Sequence, residues 1–127
     1  MENDIKKSIL IIEDEGAYQK IISEKLRAEN FNVILAKNGI EGFDLAIKNH
    51  PDFIIADIQM PVMNGLEMLK KLRTDIWGKD AKIIIVSAFD DPEKISTAIS
   101  LGISEYFLKT DINISKLVER IKEQVSY

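Results

Sequence analysis

The fold is decided by the stretch Pro51-Asp52-Phe53-Ile54-Ile55-Ala56-Asp57-Ile58-Gln59-Met60-Pro61. An apolar run ends here in one carboxylate, that of Asp57, and a Met-Pro turn follows it. Short runs that are rich in isoleucine and bounded by turn residues are typical of buried parallel strands. The stretch therefore predicts a buried strand that presents a reactive acid at its carboxyl end.

On both sides of this stretch, strand patterns alternate with helix patterns. The predicted strands are residues 8–12, 32–36, 53–57, 82–87 and 105–109. Helical spacing of apolar residues, with turn residues at the ends, predicts a helix after each strand. The predicted helices are residues 16–30, a segment between Asn38-Gly39 and His50-Pro51, a segment after Asn64-Gly65, a segment from Asp91-Pro92 to about Leu101, and a segment capped by Asn113.

This alternation predicts one α/β domain over residues 1–127, with a core of about residues 8–126. Crossovers between parallel strands are right-handed, and strands that are apolar throughout need helices on both faces. We therefore predict a doubly wound, five-stranded parallel sheet of order 2-1-3-4-5, flanked by five helices as in flavodoxin-like folds. In that order, ligands bind at the switch point between the first and third strands.

Composition narrows the function classes. The net charge of −4 argues against a general nucleic-acid surface, which needs a basic patch. Cysteine is absent, which excludes disulfide bonds and thiolate metal sites. No apolar run reaches the roughly 18 residues of a membrane span, and the N-terminus lacks the apolar core of a signal peptide. The expectation is a cytoplasmic domain that binds neither nucleic acid nor membrane.

Chemistry-bearing residues follow the strands at their carboxyl ends. These residues are Glu13, Asp14, Asp57, Ser87 and Lys109. In the predicted strand order all of them border one crevice. Carboxylates held close together repel each other unless a cation relieves them. Because oxygen ligands without nearby histidine or cysteine suit Mg²⁺, we predict a Mg²⁺ site.

Lys109 and Ser87 complement these acids. An ammonium group suits phosphate as a point charge, and a hydroxyl group donates a hydrogen bond to a phosphoryl oxygen. Acids, a metal, a hydroxyl and a lysine together indicate a phosphoryl-transfer site that works by charge neutralisation. Asp57 is then the candidate nucleophile, which forms an aspartyl phosphate.

With these residues in place, the chain resembles the receiver domain of response regulators in bacterial two-component signalling, of the chemotaxis-regulator type. The resemblance covers nearly the whole chain and rests on four pieces in order. They are Ile9-Leu10-Ile11-Ile12-Glu13-Asp14-Glu15, Ala56-Asp57-Ile58-Gln59-Met60-Pro61 with Asn64-Gly65, Ile85-Val86-Ser87-Ala88, and Tyr106-Phe107-Leu108-Lys109.

The resemblance implies a signalling switch rather than an enzyme that acts on outside substrates. A histidine kinase or phosphotransfer protein would phosphorylate Asp57, and the domain would catalyse only its own phosphorylation and slow dephosphorylation. Glu13, Asp14, Asp57 and the backbone carbonyl of Gln59 would hold Mg²⁺.

The resemblance also implies how the signal leaves the site. Ser87 and Lys109 would contact the phosphoryl group, and Ser87 and Tyr106 would form the switch pair. The changed surface would be the fourth helix, fifth strand and fifth helix, read by a downstream protein or a fused output domain. A homodimer through that surface is a further option that the resemblance leaves open.

The sequence departs from the family pattern after Lys109. A proline commonly follows this lysine through a cis peptide, and here Thr110 takes its place. A cis bond before a residue other than proline costs roughly 2.5–4 kcal/mol, so we predict a trans Lys109–Thr110 bond. Asp111 is expected to add an acid near the site. His50, the only histidine, is predicted to be a surface residue and not a phosphodonor.

Three other functions are compatible with the fold. A flavin-nucleotide binder needs a phosphate-cradling loop after the first strand, where this chain has Glu13-Asp14-Glu15. Phosphatases with an aspartate nucleophile usually carry a second acid two residues later, a position that Gln59 occupies. A degenerate receiver that acts only as an interaction module would not need the full set of acids, hydroxyl and lysine.

Overall fold

The computed structural model describes residues 6–125. Its strands are β1 (Ser8–Ile12), β2 (Asn32–Ala36), β3 (Phe53–Ala56), β4 (Ile83–Ser87) and β5 (Glu105–Leu108). Its α-helices are α1 (Gly16–Ala28), α2 (Gly39–Asn49), α3 (Gly65–Arg73), α4 (Pro92–Ser100) and α5 (Ile114–Val125), and a 3₁₀ turn spans Gly78–Asp80. The predicted domain also includes residues 1–5 and 126–127, which lie outside the described part of the chain.

All strands pair in parallel, in the order β2-β1-β3-β4-β5, which confirms the predicted topology. Because β1 pairs with both β2 and β3, the loops after β1 and β3 leave the sheet side by side. Ile12 lies opposite Ala56 in this register. The residues that follow these two strands are therefore neighbours in space.

Each face of the sheet carries its own hydrophobic layer. Alternate residues of β1 and β3 point to opposite faces, so that Leu10 and Ile54 join one layer and Ile9 and Phe53 join the other. The first layer is completed by α2, α3 and α4, and the second by α1 and α5. Helices on both faces explain why the central strands are apolar at nearly every position.

Several predicted ends move by one or two residues. Asp57 and Lys109 lie just past β3 and β5 rather than within them, and β4 begins one residue after Lys82. The first helix stops at Ala28 because Asn30 takes a left-handed φ of 72°. The predicted loop at residues 77–80 contains the short 3₁₀ turn.

Two exposed isoleucines show where helical spacing misleads. Ile21 in α1 is 46% exposed and Ile40 in α2 is 45% exposed. In α1 the buried positions include Gln19, whose amide donates to the carbonyl oxygens of Glu13 (3.2 Å) and Ala36 (2.9 Å). A polar side chain is thus buried because it satisfies the backbone at the ends of β1 and β2.

Two backbone features bear on function. No cis peptide bond occurs among residues 6–125, so the Lys109–Thr110 bond is trans as predicted. None of the helices within these residues has both the length and the apolar character that a membrane crossing requires.

Candidate functional site

The candidate site is a cleft of about 590 Å³ at the carboxyl ends of β1, β3 and β5. Asp57, the first residue after β3, is only 6% exposed and lines this cleft. Its backbone N–H donates to the carbonyl oxygen of Ile12 at 3.1 Å. The backbone N–H of Gln59 donates to Asp57 Oδ1 at 3.2 Å. The carboxylate is thereby oriented by its own loop.

Two further acids come from the loop after β1. Glu13 is 4% exposed, and its Oε2 accepts from the backbone N–H of Glu15 at 3.1 Å. Carboxylate oxygens of Glu13, Asp14 and Asp57 all lie within 4.8 Å of one another. Such a set of hard oxygen donors, two buried and one exposed, suits Mg²⁺, which binds through a few carboxylates and keeps part of its water shell.

Lys109 bridges the acids. Its Nζ lies 3.0 Å from Glu13 Oε1, 3.1 Å from Asp57 Oδ2 and 3.1 Å from Glu15 Oε1. Its backbone N–H donates to the carbonyl oxygen of Ser87 at 2.8 Å, which fixes the start of the side chain beside β4. Sequence reasoning assigned no role to Glu15, although its place directly after Asp14 is a signal that could have found this ion pair.

The pKa values of Glu13 and Lys109 are shifted because both groups are partly buried beside other charged groups. Burial, followed by the negative charge of Asp57, raises the pKa of Glu13 to about 7, and these effects outweigh the ion pair with Lys109. Burial alone would lower the pKa of Lys109, but hydrogen bonds to Glu13, Glu15 and Asp57 raise it above its ordinary value. Lys109 therefore stays charged, whereas Glu13 keeps its proton up to a higher pH than an ordinary glutamate does. A second cation in the cleft would favour the charged form of Glu13.

Ser87 and Tyr106 meet the same loop residue. The backbone N–H of Phe89 donates to Ser87 Oγ at 3.1 Å, and the Tyr106 hydroxyl donates to the carbonyl oxygen of Phe89 at 2.8 Å. Ser87 is fully buried, and Ala88 rather than Ser87 lines the cleft. The two predicted switch residues are thus joined through the β4–α4 loop.

Gly65 is a further residue that sequence reasoning did not assign to the site. A Cβ at this position would lie 2.1 Å from the carbonyl oxygen of Asp57. The start of α3 is fixed there by a capping box between Asn64 and Glu67. Glycine is therefore required for the helix to approach the backbone of Asp57. The Asn-Gly pair in the sequence was the available signal.

Two predictions about neighbouring residues have different outcomes. Asp111 was expected beside the acids, but it borders a groove formed by α4, β5 and α5. The turn after Lys109 carries it away from the cleft. His50 is exposed, as predicted, and stacks on the ring of Trp77 with centroids 4.6 Å apart. That pair lies among residues at the amino ends of the strands, far from Asp57.

Tyr18, in the first turn of α1, contacts Lys109 but does not line the cleft. Its ring centroid lies 4.4 Å from Lys109 Nζ. Its hydroxyl is buried and has no hydrogen-bond partner among residues 6–125. Burial raises the pKa of Tyr18, and the charge of Lys109 opposes that rise. The sequence presents Tyr18 only as an apolar position of α1.

A family model described as the response regulator receiver domain matches residues 9–122. The chain belongs to this family. The receiver domain is 34% identical over 119 residues to the polar-differentiation response regulator DivK of Brucella ovis, covering 91% of this chain and 94% of that protein. The resemblance drawn from the four sequence pieces is confirmed.

Solved structures agree with this assignment. A CheY-like receiver domain protein from Methanospirillum hungatei has a TM-score of 0.88 and 27% identity, over 96% of this chain and 95% of that chain. The chemotaxis protein CheY4 of Vibrio cholerae has a TM-score of 0.85 and 26% identity, over 94% of this chain and 98% of that chain.

Membership decides the class of function. Receiver domains of response regulators are phosphorylation-activated signalling switches and not metabolic enzymes, and they work with histidine kinases or phosphotransfer proteins and with output domains. They bind Mg²⁺ in an acidic site, and Glu13, Asp14 and Asp57 form an acidic cluster in this receiver. The loop after β1, where a flavin-nucleotide binder needs a phosphate-cradling segment, places Glu13, Asp14 and Glu15 in the cleft, and their charge disfavours that function.

Proposed function

We propose that Asp57 is the phosphoacceptor of this receiver domain. One carboxylate oxygen of Asp57 attacks the phosphorus of a phosphohistidine. A P–O bond forms, the P–N bond breaks, and the imidazole leaves and takes a proton from solvent. The observation that carries the proposal is the geometry around Asp57, whose Oδ2 lies 3.1 Å from Lys109 Nζ within a cluster of three carboxylates. The ammonium group of Lys109 is fixed where it can offset the negative charge of a phosphoryl group on Asp57, and the carboxylates can hold a metal ion that offsets more of it.

In this proposal one set of residues binds Mg²⁺ and Lys109 binds the phosphoryl group directly. Glu13, Asp14, Asp57 and the backbone carbonyl of Gln59 would hold Mg²⁺, which when bound neutralises charge on the transferring phosphoryl oxygens. Lys109 neutralises a further oxygen and is already beside Asp57. Gln59 supports this assignment because it lines the same cleft.

Ser87 and Tyr106 act as the switch pair. The Ser87 hydroxyl turns from the backbone N–H of Phe89 toward a phosphoryl oxygen, and the Tyr106 ring turns inward. Their shared contact with Phe89 supports this coupling, because a movement of Phe89 would disturb both hydrogen bonds together. Moving such an equilibrium from mostly off to mostly on takes about 5.5 kcal/mol of differential stabilisation.

The signal is read on the α4–β5–α5 face. Ile95, Ile99 and Tyr106 border a groove of about 820 Å³ on this face, with Lys116 and Arg120 at its edge. An apolar floor with a charged rim suits a protein partner. A downstream protein, a fused output domain or a second copy of this domain would bind there.

The remaining parts of the proposal concern context. Residues 1–127 act as one receiver domain in the cytoplasm. The phosphoryl donor is a sensor histidine kinase or a histidine phosphotransfer protein. The domain itself contacts neither nucleic acid nor membrane.

A phosphodonor experiment tests the proposal. The full chain is incubated with acetyl phosphate and Mg²⁺, and the intact mass is measured for the wild type and for Asp57→Asn. The wild type should gain one phosphate that base removes, and Asp57→Asn should gain none. Asp44→Asn, which removes an exposed acid from α2, should behave like the wild type. Labelling of Asp57→Asn to the wild-type level would refute Asp57 as the acceptor.

A further inference from the structure

Lys109 contacts Tyr18 on one side and the carboxylates of Glu13, Glu15 and Asp57 on another. The carboxylates line the cleft, whereas Tyr18 is absent from its lining and packs in the core layer between the sheet, α1 and α5. The ring face lies 4.4 Å from Lys109 Nζ, within the distance of a cation–π interaction. The ammonium group therefore has charged partners toward the cleft and an aromatic face toward the protein.

We propose that Tyr18 is a positioning residue that holds the Lys109 ammonium against the cleft for reaction with the phosphoryl group. This inference rests on the proposed role of Asp57 as phosphoacceptor. The aromatic face attracts the cation and keeps water from that side, so the N–H donors of Lys109 point toward the carboxylates and toward the place of a phosphoryl oxygen. A lysine side chain is flexible, and fixing its charge before reaction removes the cost of reorganising it.

The aromatic ring rather than the hydroxyl carries this role. The Tyr18 hydroxyl is buried and has no hydrogen-bond partner in the part of the chain described, so it gives nothing that phenylalanine would lack. A phenylalanine ring presents the same kind of face to a cation. Tyr18→Phe should therefore keep the function, and an aliphatic residue of similar size should lose it.

Other lysine–aromatic contacts supply a matched control. Lys71 lies 4.5 Å from the ring centroid of Phe43, between α3 and α2 and outside the cleft. Lys71 is exposed, whereas the Lys109 side chain is only 15% exposed. Cation–π attraction is stronger when the pair is shielded from water. Phe43→Leu removes a comparable contact without touching the site.

The experiment compares Tyr18→Phe, Tyr18→Leu, Phe43→Leu and the wild type as full chains. Three quantities are measured: the affinity for Mg²⁺ alone, the affinity for beryllofluoride at saturating Mg²⁺, and the rate of labelling by acetyl phosphate. Tyr18→Leu should keep its Mg²⁺ affinity but lose on the order of tenfold in beryllofluoride affinity and labelling rate. Tyr18→Phe and Phe43→Leu should match the wild type in all three quantities.

Three results would overturn the inference. They are wild-type beryllofluoride affinity in Tyr18→Leu, equal losses in Tyr18→Leu and Tyr18→Phe, or an equal loss in Phe43→Leu. If Tyr18→Leu does not fold, a ring-trifluorinated phenylalanine at position 18 keeps the shape while it weakens the ring face, and it should show the same loss relative to Tyr18→Phe. If the wild type itself takes no phosphate, the proposed function fails and this inference fails with it.

Discussion

Gly65→Ala tests how closely α3 must approach Asp57, the proposed phosphoacceptor. Gly65 is the first residue of α3, and its backbone N–H donates to the carbonyl oxygen of Ile58 at 2.8 Å. An added Cβ would lie 2.1 Å from the carbonyl oxygen of Asp57 and 2.9 Å from its carbonyl carbon. These atoms belong to the backbone and cannot rotate away as a flexible side chain could. The helix or the Asp57 loop must move.

The size of the effect follows from that overlap. Non-bonded contacts of a Cβ atom below 3.0 Å are essentially never seen, so the separation must grow by about 0.9 Å. Overpacking of this kind costs about 1–3 kcal/mol, and loss of the Gly65–Ile58 hydrogen bond adds about 1 kcal/mol. Alanine returns up to about 1 kcal/mol through its helix propensity. We expect a net loss of about 1–3 kcal/mol and a fall in Tm of roughly 4–12 °C.

Urea unfolding and labelling by acetyl phosphate measure the two consequences. Gly16→Ala is the matched control, because Gly16 also begins a helix beside the cleft and a Cβ there meets no atom within 4 Å. We expect Gly16→Ala to be neutral or slightly stabilising. Gly65→Ala should be less stable and should label more slowly, because the displaced carbonyl belongs to Asp57. Equal stability of the two variants would refute the argument from close approach.

Three further predictions concern stability and metal binding. Arg73 donates hydrogen bonds to the carbonyl oxygens of Leu101 (2.7 Å), Gly78 (2.8 Å) and Ala81 (2.8 Å). Arg73→Met should therefore lower the free energy of unfolding, measured in urea, by about 2–4 kcal/mol. Arg27→Met, on the exposed side of α1, is the control and should not show this loss. Burial and the neighbouring carboxylate of Asp57 raise the pKa of Glu13 from 4.5 to about 7. Between these two pH values the folded metal-free protein keeps a proton on Glu13 that the unfolded chain has lost. The free energy of unfolding therefore falls as the pH rises through this range. Glutamine does not titrate, so Glu13→Gln lacks this effect. In EDTA, the free energy of unfolding of Glu13→Gln should gain about 2–3 kcal/mol relative to that of the wild type between pH 4.5 and pH 8. A difference that does not change with pH would contradict this. Mg²⁺ at a hundred times its Kd should stabilise the wild type by about 2.7 kcal/mol and should barely affect Asp14→Asn, which thermal scans with and without EDTA will show.

The fold could be predicted almost completely because its signals are local. Each strand is a short, mainly apolar run, and four of the α-helices in the described part of the chain follow a capping residue: Asn38, Asn64, Asp91 and Asn113. The topology follows because an alternating pattern leaves few right-handed arrangements. The errors lie at element ends and on helix faces. Ile21 is exposed because it lies off the buried face of α1, which consists of Gln19, Ile22, Ser23 and Leu26. Gln19 belongs to that face because its amide donates to backbone carbonyls on other elements.

The site could be predicted as a set of residues but not as a set of contacts. Glu13 and Asp57 follow strands that are neighbours in the sheet, and strand order alone brings them together. Lys109 bonds Glu15 across 94 residues, and which acid it reaches depends on side-chain direction. The same limit applies to Tyr18, whose role is visible only once its ring is seen against Lys109.

Lys109 connects these observations. In the unphosphorylated receiver its three ion pairs hold the ammonium among Glu13, Glu15 and Asp57. A phosphoryl group on Asp57 would compete for the same N–H donors, so some of those ion pairs must give way. Glu13 can release the lysine at low cost when a divalent cation shares its carboxylate. Metal binding and phosphorylation should therefore support each other through Lys109, while the ring of Tyr18 keeps the ammonium within reach as its partners change.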